Sequence, residues 1–267
     1  MDRRNILKAA GGAVALGAWA PSAAKAVEAD NCGRVIQPTT FVLVHGGWGG
    51  GYNYAEVAEI LRRRGHRVFN PTLTGVGDRS HLATPDVNLE THITDITNLI
   101  RFHELTDIVL AGHSSGGAVI SGVGDRMHER IASIVFLDAF LLEDGHAIID
   151  DAGQVPFLQG TEQGDYLEFP FAEAMGIPEE ELWRFTPQPI ATLTDPVSLT
   201  GGFASIPIKT FVKAENWHDH DEVFARLQQD PDWRTVTIPT GHGLMEEAPE
   251  MTAQFLENAS PHAVRGA

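Results

Sequence analysis

Residues 106–117 read TDIVLAGHSSGG, and this stretch constrains the chain more than any other. Ile108, Val109, Leu110 and Ala111 form an unbroken apolar run, the pattern of a strand buried on both faces of a parallel sheet. Gly112-His113-Ser114-Ser115-Gly116 follows without a linker, and Gly117, Ala118, Val119 and Ile120 begin a helical pattern. Strand, G-x-S-x-G and helix in that order place a serine on a sharp, strained turn. Glycines two residues either side leave room where a Cβ would clash. The helix start behind the serine offers free N–H groups and positive dipole to a developing oxyanion. A chance match in a glycine-rich chain and a phosphate-gripping loop are the competing readings, and the flanking strand and helix argue against both. Ser114, not Ser115, is the serine flanked symmetrically by Gly112 and Gly116.

The rest of the chain alternates in the same way. The strand FVLV at 41–44 runs into His45-Gly46-Gly47-Trp48-Gly49-Gly50-Gly51. That loop is not G-x-G-x-x-G, and Phe69-Asn70-Pro71 stands where a dinucleotide site needs an acidic residue. Its other use is to supply an oxyanion N–H. Helical spacing follows over 54–64, with Gly65 as the stop, and again through Leu89, Ile93, Ile96 and Ile100, with Asp86 or Asn88 placed to cap. Further strands are expected at 66–69, at 131–137 ending in Asp138, at 208–212 and at 233–238. A helix around Val223, Phe224 and Leu227 and a closing helix over 250–257, behind Pro249, complete the pattern. The fold class is therefore α/β, a mostly parallel sheet with helices on both faces.

Residues 141–203 break the rhythm. They are rich in Pro, Gly, Asp and aromatics and fall between two core strands, which reads as a cap inserted over the site. Phe157, Phe169, Phe171, Met175, Trp183 and Phe185 are candidates either to line a pocket or to form the cap's own small core.

Residues 1–26 read as an export signal rather than as fold. Arg3-Arg4 precede a weakly apolar Ala/Gly-rich stretch, and Ala24-Lys25-Ala26 resembles a cleavage site. The twin arginines and modest hydrophobicity suit twin-arginine export to the periplasm or beyond the cell as a secreted protein, with no stable membrane anchor expected. Residues 27–267 then form a single domain. The balance of 19 Lys+Arg against 36 Asp+Glu, net −17, argues against nucleic acid and anionic membranes as partners. A lone cysteine, Cys32, excludes an internal disulfide framework.

Taken together, strand-HGGW, PTLTGVGDRSHL, GHSSGG, FLDAF and PTGH…M…AP resemble an α/β-hydrolase from about residue 39 to 256. The closest likeness is to the small esterase branch containing plant methyl-salicylate esterases, hydroxynitrile lyases and bacterial relatives. The resemblance implies that His242, in the loop after the last strand, is the base for Ser114. It also implies oxyanion donors from the backbone N–H of Ser115 and of Gly47 or Trp48. The acid is open. Ungapped comparison puts Trp217 where the plant enzymes carry aspartate, with Asp219 and Asp221 close by. Asp138 is the other place the fold can supply it, and its apolar setting Phe136-Leu137-Asp138-Ala139-Phe140 makes an unpaired carboxylate costly. Asp138 is favoured.

His218-Asp219-His220-Asp221 could in principle bind a divalent ion, but a solvated acidic loop is the better reading, so neither metal nor cofactor is expected. The implied activity is hydrolysis of a small-molecule ester. A carbon–carbon lyase and a non-catalytic ligand binder are the alternatives. The lyases' threonine position falls in Gly46-Gly47 and Lys213 does not match their lysine, which tells against the first.

Overall fold

The computed structural model describes residues 37–151 and 164–262. Residues 1–26, read from the sequence as an export signal, Cys32 and Phe157 lie outside these residues. In chain order the regular elements begin with β1 (Thr40–Val44), α1 (Ala55–Arg63), β2 (Arg67–Phe69), α2 (Leu89–Phe102), β3 (Ile108–Ser114) and α3 (Gly116–Met127). After these come β4 (Ile131–Ala139), α4 (Ile148–Asp151), β5 (Tyr166–Leu167), β6 (Gln188–Pro189) and α5 (Ala191–Thr194). The chain closes with β7 (Ile208–Ala214), α6 (Asp221–Leu227), β8 (Trp233–Ile238), α7 (Leu244–Glu247) and α8 (Pro249–Asn258).

Six strands form one sheet in the order β2-β1-β3-β4-β7-β8, with every pairing parallel. Alternation along each strand divides the core in two, because successive side chains leave opposite faces. Val42, Leu110, Ile134, Phe136 and Phe211 pack on one face against Ile93, Ile96 and Ile100 of α2 and Val119 and Ile120 of α3. Phe41, Leu43, Val109, Val135, Leu137 and Val212 pack on the other against Val57 and Leu61 of α1 and Leu256 of α8. Each such fully buried side chain contributes about 1.5–3 kcal/mol. Apolar runs rather than alternating ones follow from burial on both faces. Asn88, not Asp86, caps α2: its side chain accepts from the Thr91 N–H at 2.9 Å.

The chain leaves β1 toward β2 and returns past β1 to β3, so the strand order reverses between β1 and β3. The crevice at the carboxyl ends of those two strands is where this architecture places ligands. The loop after β1 and the turn after β3 both open there. Between β4 and β7 the inserted residues carry short 3-10 turns and the antiparallel pair β5-β6.

Candidate active site

Ser114 is the last residue of β3 and holds φ +52°, in the left-handed region that disfavours a side chain. The glycines make the turn possible. A Cβ on Gly112 would lie 2.7 Å from the Gly116 carbonyl oxygen, and one on Gly116 2.6 Å from that of His45. The 12-residue α3 starts at Gly116 and directs its N-terminus at the turn.

Asp138 reaches the same place through an irregularity in β4. His113 pairs with Leu137 but Ser114 pairs with Ala139, so Asp138 is an extra residue, with φ +46°. Such bulges re-aim a side chain. The Asp138 carboxylate is fully buried. Its Oδ2 accepts from His242 Nδ1–H at 2.6 Å and its Oδ1 from the Ala214 N–H at 3.2 Å. His242 sits in the loop between β8 and α7. Trp217 stacks on its ring at 4.9 Å, and its carbonyl accepts from His113 Nε2–H at 2.8 Å. With Nδ1 donating to Asp138, Nε2 keeps a lone pair able to act as a base. Burial holds the His242 imidazole down to about 4, so it is neutral at pH 7. Burial also pushes the Asp138 carboxyl above its ordinary range, with the nearby His220 foremost among the groups drawing it back.

The other candidate acids lie apart from that bond. Asp221 pairs with Lys213 at 2.6 Å and with His218 at 3.0 Å. Lys213 also donates to the Ala214 and Trp217 carbonyls at 2.8 Å each. Asp219 lines a cavity beside Ser114, and burial raises its carboxyl. From the His-Asp-His-Asp segment it is His220 that approaches the triplet. Asp138, His220 and His242 have ligand atoms within 4.8 Å of one another, the one such group among the described residues. Asp138 and His242 are already bonded to each other there, so a metal would compete with that bond.

In the loop after β1, the Trp48 N–H donates to Gln188 Oε1 at 2.8 Å and is thereby engaged. Gly47 is the remaining candidate donor of that loop, and a Cβ there would lie 3.4 Å from Ser115 Oγ. Ser115 begins the turn into α3 and faces the same cavity as Ser114.

Two cavities flank Ser114 and His242. The smaller, about 30 Å³, is walled by Phe140, Ile148, Phe171, Leu193 and Trp217. The wider, about 240 Å³, has Trp48, Phe169, Met175 and Phe185 on its apolar side. Of the aromatics singled out from the sequence, Phe169 and Phe185 both line this cavity and stack on each other at 4.1 Å. Trp183 is instead exposed, at 78%. Gln188 carries no signal in the sequence, and His220 enters the sequence reading only as part of a possible metal-binding segment. His220 stood in a segment read as solvated, and its neighbour Trp217 was the one cue that the segment turns inward.

The chain matches the model of the alpha/beta hydrolase family over residues 41–255. A carbendazim hydrolyzing esterase from Nocardioides sp. (strain SG-4G) is 37% identical over 235 residues, 81% of this chain and 97% of that protein. Methylesterase 1 of Arabidopsis thaliana is 32% identical over 109 residues, 40% of this chain and 41% of its own length. Among solved structures, an extracellular alpha/beta-hydrolase from a Paenibacillus species aligns with a TM-score of 0.72 at 25% identity, covering 84% of this chain and 100% of that one.

Proposed function

The chain belongs to the alpha/beta hydrolase family, and on that premise we propose that it is an exported serine esterase. It cleaves carboxylic esters of small or apolar substrates through an acyl-enzyme. One observation carries the reading: Asp138 grips His242 Nδ1 at 2.6 Å beside the strained turn that bears Ser114.

Ser114 Oγ attacks the ester carbonyl while His242 Nε2 takes its proton. The N–H groups of Gly47 and Ser115 receive the oxyanion, aided by the start of α3. The C–O bond then breaks and His242 returns the proton to the leaving alcohol. Water, deprotonated by the same imidazole, releases the acid and restores Ser114. Asp138 orients the ring and stabilises the imidazolium at each step. The cap residues Phe169, Phe171 and Phe185 give the ester an apolar seat. The smaller cavity, about 30 Å³ and walled by apolar side chains, is the tighter of the two and takes the smaller end of the substrate.

Export is supported by Arg3-Arg4 and Ala24-Lys25-Ala26. None of the described helices is long and apolar enough to cross a membrane. The test of the reading is a fluorophosphonate probe with a burst assay for alcohol release. Labelling should vanish in Ser114→Ala and persist in Ser115→Ala, with alcohol released in a burst ahead of acid. Labelling that survives Ser114→Ala contradicts the assignment.

A further inference from the structure

The inserted segment grips the loop after β1 at one strained residue. Trp48 holds φ +58°, in the left-handed region that disfavours a side-chain-bearing residue. Three hydrogen bonds hold it there. The Trp48 N–H donates to Gln188 Oε1 at 2.8 Å, its indole Nε1–H to the Leu167 carbonyl at 2.8 Å, and its carbonyl accepts from the Thr186 N–H at 3.0 Å.

Gln188 is 2% exposed, and its amide has a single consistent orientation. Thr192 Oγ1 gives its proton to the Pro189 carbonyl at 2.6 Å, so it must accept from Gln188 Nε2–H, also at 2.6 Å. That leaves Oε1 for Trp48. The peptide joining Gly47 and Trp48 is then pinned at both ends, since the Gly47 carbonyl accepts from the Gly49 N–H at 2.7 Å. A Cβ on Gly47 would lie 3.8 Å from Gln188 Oε1 and 3.4 Å from Ser115 Oγ, so this amide stands beside the residues that surround the proposed oxyanion.

We propose that Gln188 is a positioning residue: through Trp48 it fixes the backbone around Gly47, so that the oxyanion donor is aligned only while the inserted segment is seated. The inference rests on the esterase reading above. Misplacement of a donor by a fraction of an ångström to an ångström costs transition-state binding and leaves ground-state binding largely intact.

The test compares Gln188→Leu, Gln188→Glu and Thr192→Val with the wild-type chain, each checked for folding by circular dichroism. Measured are kcat and KM on one ester, inhibition by an alkyl boronic acid, which forms a tetrahedral adduct on Ser114, and inhibition by the product carboxylate. Gln188→Leu should lose about 10- to 100-fold in kcat and in boronate affinity, with KM and product affinity within about twofold. Thr192→Val, which frees the amide to turn, should move the same two quantities less. Gln188→Glu retains an acceptor for Trp48 but loses the Nε2–H donor to Thr192 Oγ1 and buries a carboxyl, so it should lose more than Thr192→Val. A folded Gln188→Leu with wild-type kcat, or a loss confined to KM and product affinity, overturns the inference while leaving the esterase reading intact. If Gln188→Leu does not fold, an unchanged kcat in Thr192→Val overturns it equally. A wild-type chain that neither turns over an ester nor takes the boronate overturns both.

Discussion

Lowering the pH from 7 to 5 should destabilise this fold, because five of its described histidines are buried and held below their ordinary range. His45, His220 and His242 are held down to about 4, His113 to about 3 and His92 below its ordinary value, in each case chiefly by burial. All are nearly inaccessible in the native state, whereas the unfolded chain protonates them near the ordinary 6.5. Their contribution to stability is therefore full above pH 6.5 and is lost as the pH falls toward 4. For one such group the shift is worth on the order of 2 kcal/mol between pH 7 and 5, and neighbouring histidines lower one another, so their contributions do not simply add. Even one group is a sizeable part of the roughly 5–15 kcal/mol of an ordinary domain. Asp138 acts in the opposite sense, since its raised carboxyl is relieved by acid, and one group offsets only part of the sum. Urea unfolding followed by tryptophan fluorescence at pH 7, 6 and 5 measures the effect. The midpoint should fall at each step, with net proton uptake on unfolding. A midpoint that stays level or rises between pH 7 and 5 refutes the argument from burial.

Gly116→Ala should damage both fold and activity, since its Cβ would meet the His45 and Val44 carbonyl oxygens at 2.6 and 2.8 Å. The expected cost is about 1–3 kcal/mol in urea unfolding together with slowed fluorophosphonate labelling; wild-type behaviour in both would mean the turn has room to spare. Changing Arg3 and Arg4 together to lysine should leave unprocessed precursor in the cytoplasm. Fractionation with intact mass of the product checks this, and normal periplasmic processing contradicts the export reading.

The sheet, its flanking helices and the family were legible in the sequence because they rest on periodicity and on one tight motif. Apolar runs such as Ile108-Val109-Leu110-Ala111 betrayed strands covered on both faces, and G-x-S-x-G betrayed the turn. The likeness to small esterases is borne out by the esterase and methylesterase relatives. What stayed open depended on contacts between distant residues. The sequence favours Asp138 over Asp219 and Asp221 only through its apolar setting, because a bulge writes no signature into Phe136-Leu137-Asp138-Ala139-Phe140, which reads as plain strand. Gly47 and Trp48 could not be separated as donors, since what separates them is Gln188, 140 residues further on in an irregular stretch. The capping choice between Asp86 and Asn88 turned on two residues of register.

The central claim is that Asp138 orients His242 for Ser114, and turnover of three asparagine variants at matched folded fraction tests it most directly. Asp138→Asn keeps the shape but replaces the carboxylate that accepts from His242 Nδ1–H at 2.6 Å with an amide that cannot stabilise an imidazolium. In a serine protease, whose measured value sets the scale, the equivalent change costs about 10⁴ in kcat. Asp219→Asn and Asp221→Asn should stay within about tenfold of wild type, because neither carboxylate bonds to His242 and Asp221 is committed to Lys213. Near-wild-type turnover by folded Asp138→Asn, with the large loss at Asp219 or Asp221 instead, would contradict the account.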